Sequence, residues 1–513
     1  MLAKVLSSTI QGIDAYIVEV EAHLTGAKLP KYHTVGLPEG AVKESKERVK
    51  AAIKNSGYDF PFKHVTINLA PADIRKEGSA FDLPIAIGIM AAYGYVRHTY
   101  LNNILILGEL ALDGSLRPVK GALSVAISAR GNDIRGVILP KENAEEAAVV
   151  EGIKVAGVSS LSEVIAILNG EVSIQPVIVN RDEMFKRNKV YTVDFKDVKG
   201  QEQVKRALEV AASGGHNVIM IGPPGSGKTM LAKRLPTILP DLVLDEALET
   251  TKIHSVAGIL PTGSGLVGTR PFRSPHHTIS DAGLIGGGGM PKPGEVSLAH
   301  NGVLFLDELP EFKKNVLEVM RQPLEDGHVT IARAAISLTY PSRFMLVAAM
   351  NPCPCGYSTD PNNDCTCVPQ MIQRYMSRIS GPLMDRIDIH IEVPAVPFSQ
   401  LSGMEAGEPS EEITKRVQKA RQIQLNRYKS TSGVFSNSQM QTNELKAYCK
   451  LDKNASEMIK TAMEKLGLSA RAYDRILKVS RTIADLGGEK TIQVQHVSEA
   501  IQYRSLDRQL WRG

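Results

Sequence analysis

The octapeptide GPPGSGKT at residues 222–229 constrains the fold of this 513-residue chain more than any other feature. It fits the phosphate-binding pattern G-x4-G-K-[ST], and the apolar run at 217–221 before it is typical of a strand. Glycines allow backbone N–H groups to converge on phosphate oxygens, and the helix that follows directs the positive end of its dipole toward them. The predicted nucleotide-binding residues are Gly222, Pro223, Pro224, Gly225, Ser226, Gly227, Lys228 and Thr229.

Two carboxylates, Asp307 and Glu308, end a second apolar run at 302–306. A loop of this type predicts ATP as the ligand, with Lys228 at the β- and γ-phosphates and the Thr229 hydroxyl on Mg²⁺. We expect Asp307 to hold the same Mg²⁺ through its water shell. Glu308 would then orient and deprotonate the attacking water.

A third apolar run at 344–349 ends at Asn351. An amide at the tip of the neighbouring strand can hold the lytic water and sense the γ-phosphate. The alternative is an asparagine that forms a turn before Pro352. From residue 197 onward helices alternate with strands, which predicts a doubly wound parallel sheet.

The spacing of the loop, the Asp-Glu strand and the Asn-tipped strand resembles that of an AAA+ ATPase. The sequence RPFRSPHHTISDAGLIGGGGMPKPGEVSLAHNGVLFLDELPEF at 270–312 resembles the magnesium-chelatase-like branch, specifically the YifB/ComM family. The resemblance runs from residue 1 to about residue 508. It implies a homo-oligomeric ring, typically a hexamer, with ATP sites between subunits. It further implies a DNA motor or helicase that promotes branch migration in homologous recombination during natural transformation.

The resemblance also implies arginines that complete the ATP site in the ring. Arg386, in SGPLMDRID at 380–388, matches the arginine that reaches the neighbouring subunit's γ-phosphate, and Arg378 is the reserve candidate. The alternative for Arg386 is a salt bridge with Asp385 or Asp388. In the helical lid, LSARAYDR at 468–475 resembles the second-sensor helix and indicates Arg471, with Arg475 one turn further along.

Two inserts have no role in plain hydrolysis. One is the Gly-rich segment 274–294 with His276, His277 and glycines at 286–289, and the other is a predicted hairpin of 328–331 with 336–340 that carries Arg333. In ring motors of this branch such inserts line the pore, and a flexible glycine tract with a cationic tip suits a phosphate backbone. For the two histidines we favour structural packing over a metal pair, because adjacent residues on a strand point to opposite faces.

Four of the five cysteines fall in the short loop 353–367, spaced C-x-C-x9-C-x-C. Four thiolates so close together can close a tetrahedral zinc site. An iron–sulfur cluster and free thiols are the alternatives. The predicted zinc ligands are Cys353, Cys355, Cys365 and Cys367, whereas Cys449 is expected to be buried in a helix.

Residues 1–172 are predicted to form an α/β domain, with strands at 15–20, 64–69, 104–106 and 136–139 and helices at 40–56, 82–93 and 143–151. This part resembles the proteolytic domain of the Lon family, which uses a Ser-Lys dyad. Here Ala80 takes the nucleophile position, with Ser79 before it, and Ser124 takes the position of the lysine. A serine with no amine to take its proton is a poor nucleophile, so we predict no peptidase activity.

The predicted boundaries continue with a linker at 173–192, the AAA+ core at 193–398, a second linker at 399–410 and a helical lid at 411–508. Residues 411–513 hold 19 lysines and arginines against 11 aspartates and glutamates, which suits either nucleic acid or a solvated surface. The start of the chain lacks the long apolar segment of a signal peptide, and the apolar run at 84–95 is too short for a membrane span. We therefore expect a cytoplasmic protein with DNA as partner and no membrane association.

A magnesium-chelatase-type motor that remodels a protein partner is the alternative function. The catalytic core fits both motors, but the Lon-like domain and the cysteine loop are not expected in a chelatase subunit. An ATP-dependent protease is the third hypothesis, and the missing dyad argues against it.

Overall fold

The computed structural model describes residues 1–506 except 27, 174, 262, 289–290, 334–335, 361–362, 397–406 and 432. At residues 100 and 336 it describes the backbone alone. Several predicted features lie partly outside these ranges, namely the glycine tract at 289, the cysteine loop at 361–362, the linker at 399–406 and the lid beyond 506.

The strands, in chain order, are β1 (Leu2–Gln11), β2 (Asp14–Thr25), β3 (Tyr32–Val35), β4 (His64–Ala70), β5 (Ile104–Ile106), β6 (Glu109–Leu110), β7 (Leu116–Arg117), β8 (Gly136–Pro140), β9 (Lys154–Val158), β10 (Val218–Ile221), β11 (Phe272–Arg273), β12 (Gly286–Gly287), β13 (Lys292–Pro293), β14 (Val303–Leu306), β15 (His328–Arg333), β16 (Ile336–Pro341), β17 (Met345–Met350) and β18 (Ile389–Glu392).

The α-helices are Gly40–Asn55, Asp82–Tyr93, Ala122–Gly131, Ala144–Ala148, Leu161–Leu168, Arg181–Asn188, Glu202–Gly214, Lys228–Arg234, Leu244–Ala257, Asp281–Ile285, Glu295–Leu298, Lys314–Val319, Arg321–Asp326, Pro369–Met376, Gly381–Met384, Ser410–Tyr428, Thr442–Tyr448, Lys453–Leu466, Ala470–Leu486 and Val494–Gln502. Short 3₁₀ helices lie at Ser79–Phe81, His98–Asn103, Lys141–Asn143, Phe195–Asp197, Leu235–Thr237, Leu309–Glu311 and Asn437–Gln439. Among the residues described, no helix is both long enough and apolar enough to span a bilayer.

The first of two compact units comprises Met1–Lys189 and Leu244–Gly268. Its seven-stranded sheet has the order β3-β4-β2-β1-β5-β8-β9, antiparallel around β2 and parallel from β1 to β9. The helix Asp82–Tyr93 is buried at nearly every residue and packs against β1 and β2. The predicted strands are confirmed within β2, β4, β5 and β8. The predicted helices at 40–56 and 82–93 are confirmed, and the one at 143–151 is shorter, Ala144–Ala148.

Part of the segment predicted as a linker is ordered on the first unit. Asn180 caps the helix Arg181–Asn188 because its Oδ1 accepts the backbone N–H groups of Asp182 and Glu183. Met184 on this helix is buried. The cap and the apolar anchor explain why a strongly charged stretch forms a helix here.

The second unit comprises Val190–Val243 and Thr269–Gly513. Its main sheet has five strands in the order β11-β14-β17-β10-β18, and each adjacent pair is parallel. β10, β14 and β17 are buried along their whole length, as expected for a parallel sheet covered on both faces. The predicted doubly wound parallel sheet is therefore confirmed.

The predicted helical lid is confirmed, and it shares one apolar core with the sheet of the second unit. The last two helices, Ala470–Leu486 and Val494–Gln502, flank the predicted break at Gly487 and Gly488. Residues 244–268 lie within the predicted span 193–398, yet they cluster with the first unit. The boundary of the AAA+ core therefore stays a prediction.

Candidate active site

The phosphate-binding loop connects the end of β10 to the helix Lys228–Arg234. β10 lies between β17 and β18, and β14 is the neighbour of β17 on the other side. Because the carboxyl ends of parallel strands meet at one edge of the sheet, Asp307, Asn351 and the loop meet there as well. The fold thus brings the residues predicted from three separate strands into one site.

Lys228 lies largely buried at the first turn of its helix. Its ammonium donates to the carbonyl oxygens of Gly222 at 2.7 Å and Pro223 at 2.9 Å. It also lies 3.3 Å from Oδ1 of Asn351, so Lys228 and Asn351 are direct neighbours. Burial lowers the pKa of Lys228, and the nearby charge of Asp307 partly offsets that effect.

Thr229 and Asp307 form the predicted magnesium pair. The Thr229 hydroxyl donates to Oδ2 of Asp307 at 2.6 Å. A hydroxyl and a carboxylate oxygen this close fit Mg²⁺, which prefers hard oxygen ligands and keeps several of its waters. When bound there, Mg²⁺ would neutralise charge on the β- and γ-phosphates.

Glu308 has a left-handed backbone, with φ of +53°, which is uncommon for a residue other than glycine. Its backbone N–H donates to Oδ1 of Asp307 at 3.0 Å, and its carbonyl accepts the N–H of Glu311 at 2.8 Å. These bonds hold a conformation that costs about 1–3 kcal/mol, a feature that clusters at functional sites.

His277 contacts this carboxylate, a contact that the sequence analysis missed. Nδ1 of His277 lies 3.2 Å from Oε2 of Glu308, and the ring packs edge-on against Phe312. His276 stacks on His277 with ring centroids 4.1 Å apart. Packing explains His276, but His277 also faces the predicted catalytic base.

The predicted ring arginines differ in their surroundings. Arg386 is buried and pairs with Glu325, at the end of the helix Arg321–Asp326, rather than with Asp385 or Asp388. Its Nη1 also donates to the carbonyl of Pro382 at 2.7 Å. The role of Arg386 at a neighbouring ATP site stays a prediction.

The reserve candidate Arg378 is half exposed and donates to Glu311 at 2.9 Å. Glu311 ends the 3₁₀ helix that begins directly after Glu308. Arg378 therefore contacts a residue that follows Glu308 by three positions in the chain.

In the lid, Arg471 and Arg475 face different groups. Arg471 is 60% exposed and lies 3.8 Å from Asp385, whereas Arg475 lies 3.1 Å from the buried carboxylate of Asp388. Burial alone would raise the pKa of Asp388, but Arg475 and His216 outweigh it and hold that pKa well below its usual value. Arg475 therefore forms an ion pair between the lid and Asp388, which directly precedes β18, and the Arg471 side chain is the more exposed of the two.

The four predicted metal-binding cysteines meet in one cluster. All four Sγ atoms lie within 4.8 Å of one another. Cys355 lies 3.4 Å from Cys353 and 3.6 Å from Cys365. Thiolates around tetrahedral Zn²⁺, each at about 2.3 Å, are about 3.8 Å apart, whereas sulfurs in a disulfide are about 2.05 Å apart. The arrangement fits a metal site, and the identity of the metal stays a prediction.

Backbone hydrogen bonds and a contact with the phosphate-binding loop hold the cysteine loop. The backbone N–H of Cys355 donates to Sγ of Cys367 at 3.4 Å, and the N–H of Tyr357 lowers the pKa of Cys355 to about 6. Gly356 packs so tightly on the phosphate-binding loop that a Cβ there would lie 2.6 Å from Cδ of Pro224.

The fifth cysteine, Cys449, is buried just after its helix ends, and burial raises its pKa to about 12.

The predicted hairpin is confirmed as β15 and β16, with Thr330 opposite Thr339. It packs on the Gly-rich insert, because the Tyr340 hydroxyl donates to the carbonyl of Pro291 at 2.7 Å. The Arg333 side chain also lies close to the insert, because a Cβ built at Gly287 would be 3.4 Å from its Nη2. Lys292 and Arg333 are both exposed on these joined segments.

The serines at the protease-like positions have other partners. Ser124 is buried and donates to the carbonyl of Ile13 at 2.6 Å, and Ser79 donates to Glu109. Lys76 is buried and donates to the carbonyl of Pro71. The absence of peptidase activity stays a prediction.

Three protein-family models match this chain in succession. "Subunit ChlI of Mg-chelatase" matches residues 20–143, "Magnesium chelatase, subunit ChlI" matches 194–401, and "Magnesium chelatase, subunit ChlI C-terminal" matches 407–504. The middle match contains the phosphate-binding loop, Asp307, Glu308 and Asn351, whereas the lid arginines lie in the third match.

Individual relatives match over nearly the full length. The chain is 44% identical to competence protein ComM of Haemophilus influenzae, over 99% of this chain and 98% of that protein. It is also 44% identical to a YifB protein of Salmonella typhimurium, again over 99% and 98%. A partial match to Lon protease 2 of Bacillus subtilis is 36% identical and covers 29% of this chain and 28% of that protease.

Proposed function

Because this chain belongs to the ComM/YifB family of magnesium-chelatase-like AAA+ motors, we propose that it is an ATP-driven DNA motor that promotes branch migration in homologous recombination. We also propose that this activity serves natural transformation, and the name of the relative, competence protein ComM, supports that setting. We further propose a ring, typically a hexamer, as the working assembly.

In the proposed hydrolysis, each residue of the site has one task. Lys228 binds the β- and γ-phosphates, while Thr229 and Asp307 hold Mg²⁺. Glu308 takes the proton of the attacking water, and Asn351, which lies 3.3 Å from Lys228, orients that water against the γ-phosphate. Support comes from the convergence of these groups at one edge of the parallel sheet.

The ring completes the site with arginines from the adjacent subunit. A guanidinium suits the charge that develops during phosphoryl transfer. We assign this task to Arg386, which must exchange its pair with Glu325 for a phosphate, and we assign lid sensing to Arg471. The half-exposed Arg378 is the second candidate for the arginine that acts between subunits.

The observation that carries the DNA assignment is the packing of the insert at 274–294 against the β15–β16 hairpin, each of which exposes one cation. The insert at 274–294 and the β15–β16 hairpin contact each other through Tyr340 and expose Lys292 and Arg333 together. Two exposed cations beside a glycine backbone suit a phosphate backbone and carry no sequence preference. The cysteine cluster, which we propose binds one Zn²⁺, stabilises the adjoining loop.

The proposal is tested by measuring ATP turnover with and without single-stranded and forked DNA, together with DNA affinity at rising salt. We expect stimulation by DNA and a steep, log-linear loss of affinity as salt increases. Turnover indifferent to every DNA, with no salt-dependent binding, would overturn the DNA assignment. Stimulation by a protein partner instead would favour the chelatase-type alternative.

A further inference from the structure

The edge strand β3 of the first unit directs one side of its backbone away from the sheet. β3 lies at one end of the strand order and pairs with β4. The carbonyl of Lys31 accepts the N–H of Val65 at 2.8 Å, so this carbonyl faces β4. Backbone groups point to alternate sides along a strand, and those of Tyr32 and Thr34 therefore point outward. Within the described part of the chain, no backbone group pairs with them.

The opposite edge of the same sheet, β9, is covered by the chain itself. The N–H of Val177 donates to the carbonyl of Val155 in β9 at 2.9 Å. An uncovered edge is a template for pairing with another chain, and proteins commonly cover or protect such edges. β3 is therefore the edge of this sheet that can accept a further strand.

Two large apolar side chains are exposed at the end of the sheet where β3 and β4 begin. Leu29 is 77% exposed and Phe62 is 76% exposed. Leu29 precedes Tyr32 by three positions, just as Phe62 precedes Val65, and Tyr32 pairs with Val65 in the parallel ladder. Because neighbouring strands lie about 4.8 Å apart, both side chains leave the sheet beside its free edge. Exposed apolar groups of this kind mark interaction sites.

The charge around this edge is positive. Segments 28–35 and 59–66, which contain β3 and the start of β4, carry three lysines against one carboxylate, Asp59. Lys28 and Lys31 are exposed on either side of Leu29. The third, Lys63, lies 5.4 Å from the ring centroid of Tyr93. The surface beside β3 therefore favours an anionic partner.

Backbone, apolar and charged groups together select the class of partner. Neither a bilayer nor a nucleic-acid strand offers the alternating donors and acceptors that pair with an edge strand. A second copy of this edge would add its own lysines to the same surface, and lysine beside an edge strand commonly prevents such self-pairing. An extended acidic peptide satisfies all three features, because its backbone pairs with β3 while its side chains meet the apolar and cationic groups.

We propose that an extended acidic segment of a partner protein adds to β3 as a further strand of this sheet. Its docking site, the β3 surface, consists of β3 together with Lys28, Leu29, Lys31 and Phe62. The segment pairs with the backbone of Tyr32 and Thr34, places a large apolar side chain against Leu29 and Phe62, and directs carboxylates to the lysines. The β3 surface belongs to the first unit, so this assignment does not rest on the proposed DNA function.

A phage-displayed library of random peptides, selected on the immobilised full-length protein, supplies the probe. The most enriched peptide is labelled, and its affinity is measured by fluorescence anisotropy for the parent and the variants. Thr34→Pro removes an outward N–H and no bond to β4, which is the position that proline tolerates in a sheet. Lys28→Glu combined with Lys31→Glu reverses the charge. Lys154→Glu is the matched control, because Lys154 is an exposed lysine on the covered edge strand β9.

We expect the enriched peptides to combine acidic residues with large apolar ones. Thr34→Pro should weaken binding about 10-fold, because at least one backbone hydrogen bond is lost. The charge reversal should also weaken binding at least about 10-fold, and added salt should weaken binding to the parent. Lys154→Glu should bind as the parent does. All variants should keep the ATP turnover and the thermal unfolding temperature of the parent, and if Thr34→Pro does not fold, the charge reversal decides the test.

Several results would overturn the proposal. One is a selection that enriches no peptide, or peptides whose binding the charge reversal leaves unchanged. Another is a smaller assembly for Thr34→Pro in analytical ultracentrifugation, because β3 would then pair with a second copy. A third is binding to phosphatidylglycerol vesicles that the charge reversal abolishes and Thr34→Pro does not, because a membrane would then occupy the surface. A parent that binds the acidic peptide but responds to no DNA keeps the β3 surface and loses the DNA function.

Discussion

The contact between the cysteine loop and the phosphate-binding loop makes Gly356→Ala a sharp test of the site. Gly356 has φ of +91°, where a side chain costs about 1–2 kcal/mol. The new Cβ would lie 2.6 Å from Cδ and 2.7 Å from Cγ of Pro224. Carbon atoms prefer about 3.5–4.0 Å, so one of the two loops must move by about 1 Å. Because the proline ring is rigid, a side-chain rotation cannot relieve the clash, and we expect the phosphate-binding loop to share the backbone shift.

A misplacement of about 1 Å in a catalytic arrangement costs about 100-fold in rate, and we expect a loss of that order in ATP turnover. Gly488→Ala is the matched control, because Gly488 has φ of +74° and a Cβ there would have no atom within 4 Å. Measured by chemical denaturation, Gly488→Ala should lose about 1–2 kcal/mol of unfolding free energy, and Gly356→Ala should lose more because the clash adds to the backbone cost. Equal ATP turnover and equal nucleotide affinity in the two variants would refute the coupling between these loops.

Three further predictions follow from individual residues. Glu308→Gln should keep the ATP affinity of the parent and lower turnover about 100- to 10,000-fold, as expected when a general base is lost; near-parental turnover would assign the base elsewhere. Cys365→Ser combined with Cys367→Ser should abolish a content of about one zinc per chain, measured by elemental analysis, whereas Cys449→Ser should retain it; a metal-free parent would refute the zinc assignment. Asp388→Asn should cost about 3 kcal/mol of unfolding free energy at pH 7, because it leaves Arg475 facing a neutral group at the junction of lid and sheet. Since the folded-state pKa of Asp388 is depressed, its stabilisation should persist above the unfolded pKa of about 3.9 and fade only below it; a loss that begins near pH 6 would contradict the assignment.

Much of the site was predictable because its residues lie at fixed offsets from buried strands. The octapeptide, the Asp-Glu pair and Asn351 each follow an apolar run, and parallel pairing alone brings such positions together. The cysteine cluster was predictable for a similar reason, since its members lie too close in sequence to separate. The hairpin followed from two β-rich runs on either side of a short turn.

Contacts made across the tertiary fold were not predictable from local sequence. His277 contacts Glu308 only because the insert folds back to Phe312, and no pattern of residue spacing predicts that contact. Arg386 pairs with Glu325, which is distant in sequence, although the neighbouring aspartates were the expected partners. The contact of Gly356 with Pro224 joins two loops that are distant in sequence.

The helix Arg181–Asn188 has a local sequence pattern that the linker assignment overlooked. Asn180 followed by Asp182 and Glu183, with Lys186 and Arg187 at the far end, is a helix with matched charges at both ends. The mixed charges of this stretch suggested a linker instead. Capping residues therefore deserve the same weight as hydrophobic periodicity when a polar segment is assigned.

Branch migration of a labelled four-strand DNA junction by the parent and by Lys228→Ala tests the central claim most directly. Lys233→Ala is the control, because it removes a like charge from an exposed position on the same helix, Lys228–Arg234. The account predicts ATP-dependent migration by the parent and by Lys233→Ala, and none by Lys228→Ala. Migration by Lys228→Ala at the parental rate would contradict it.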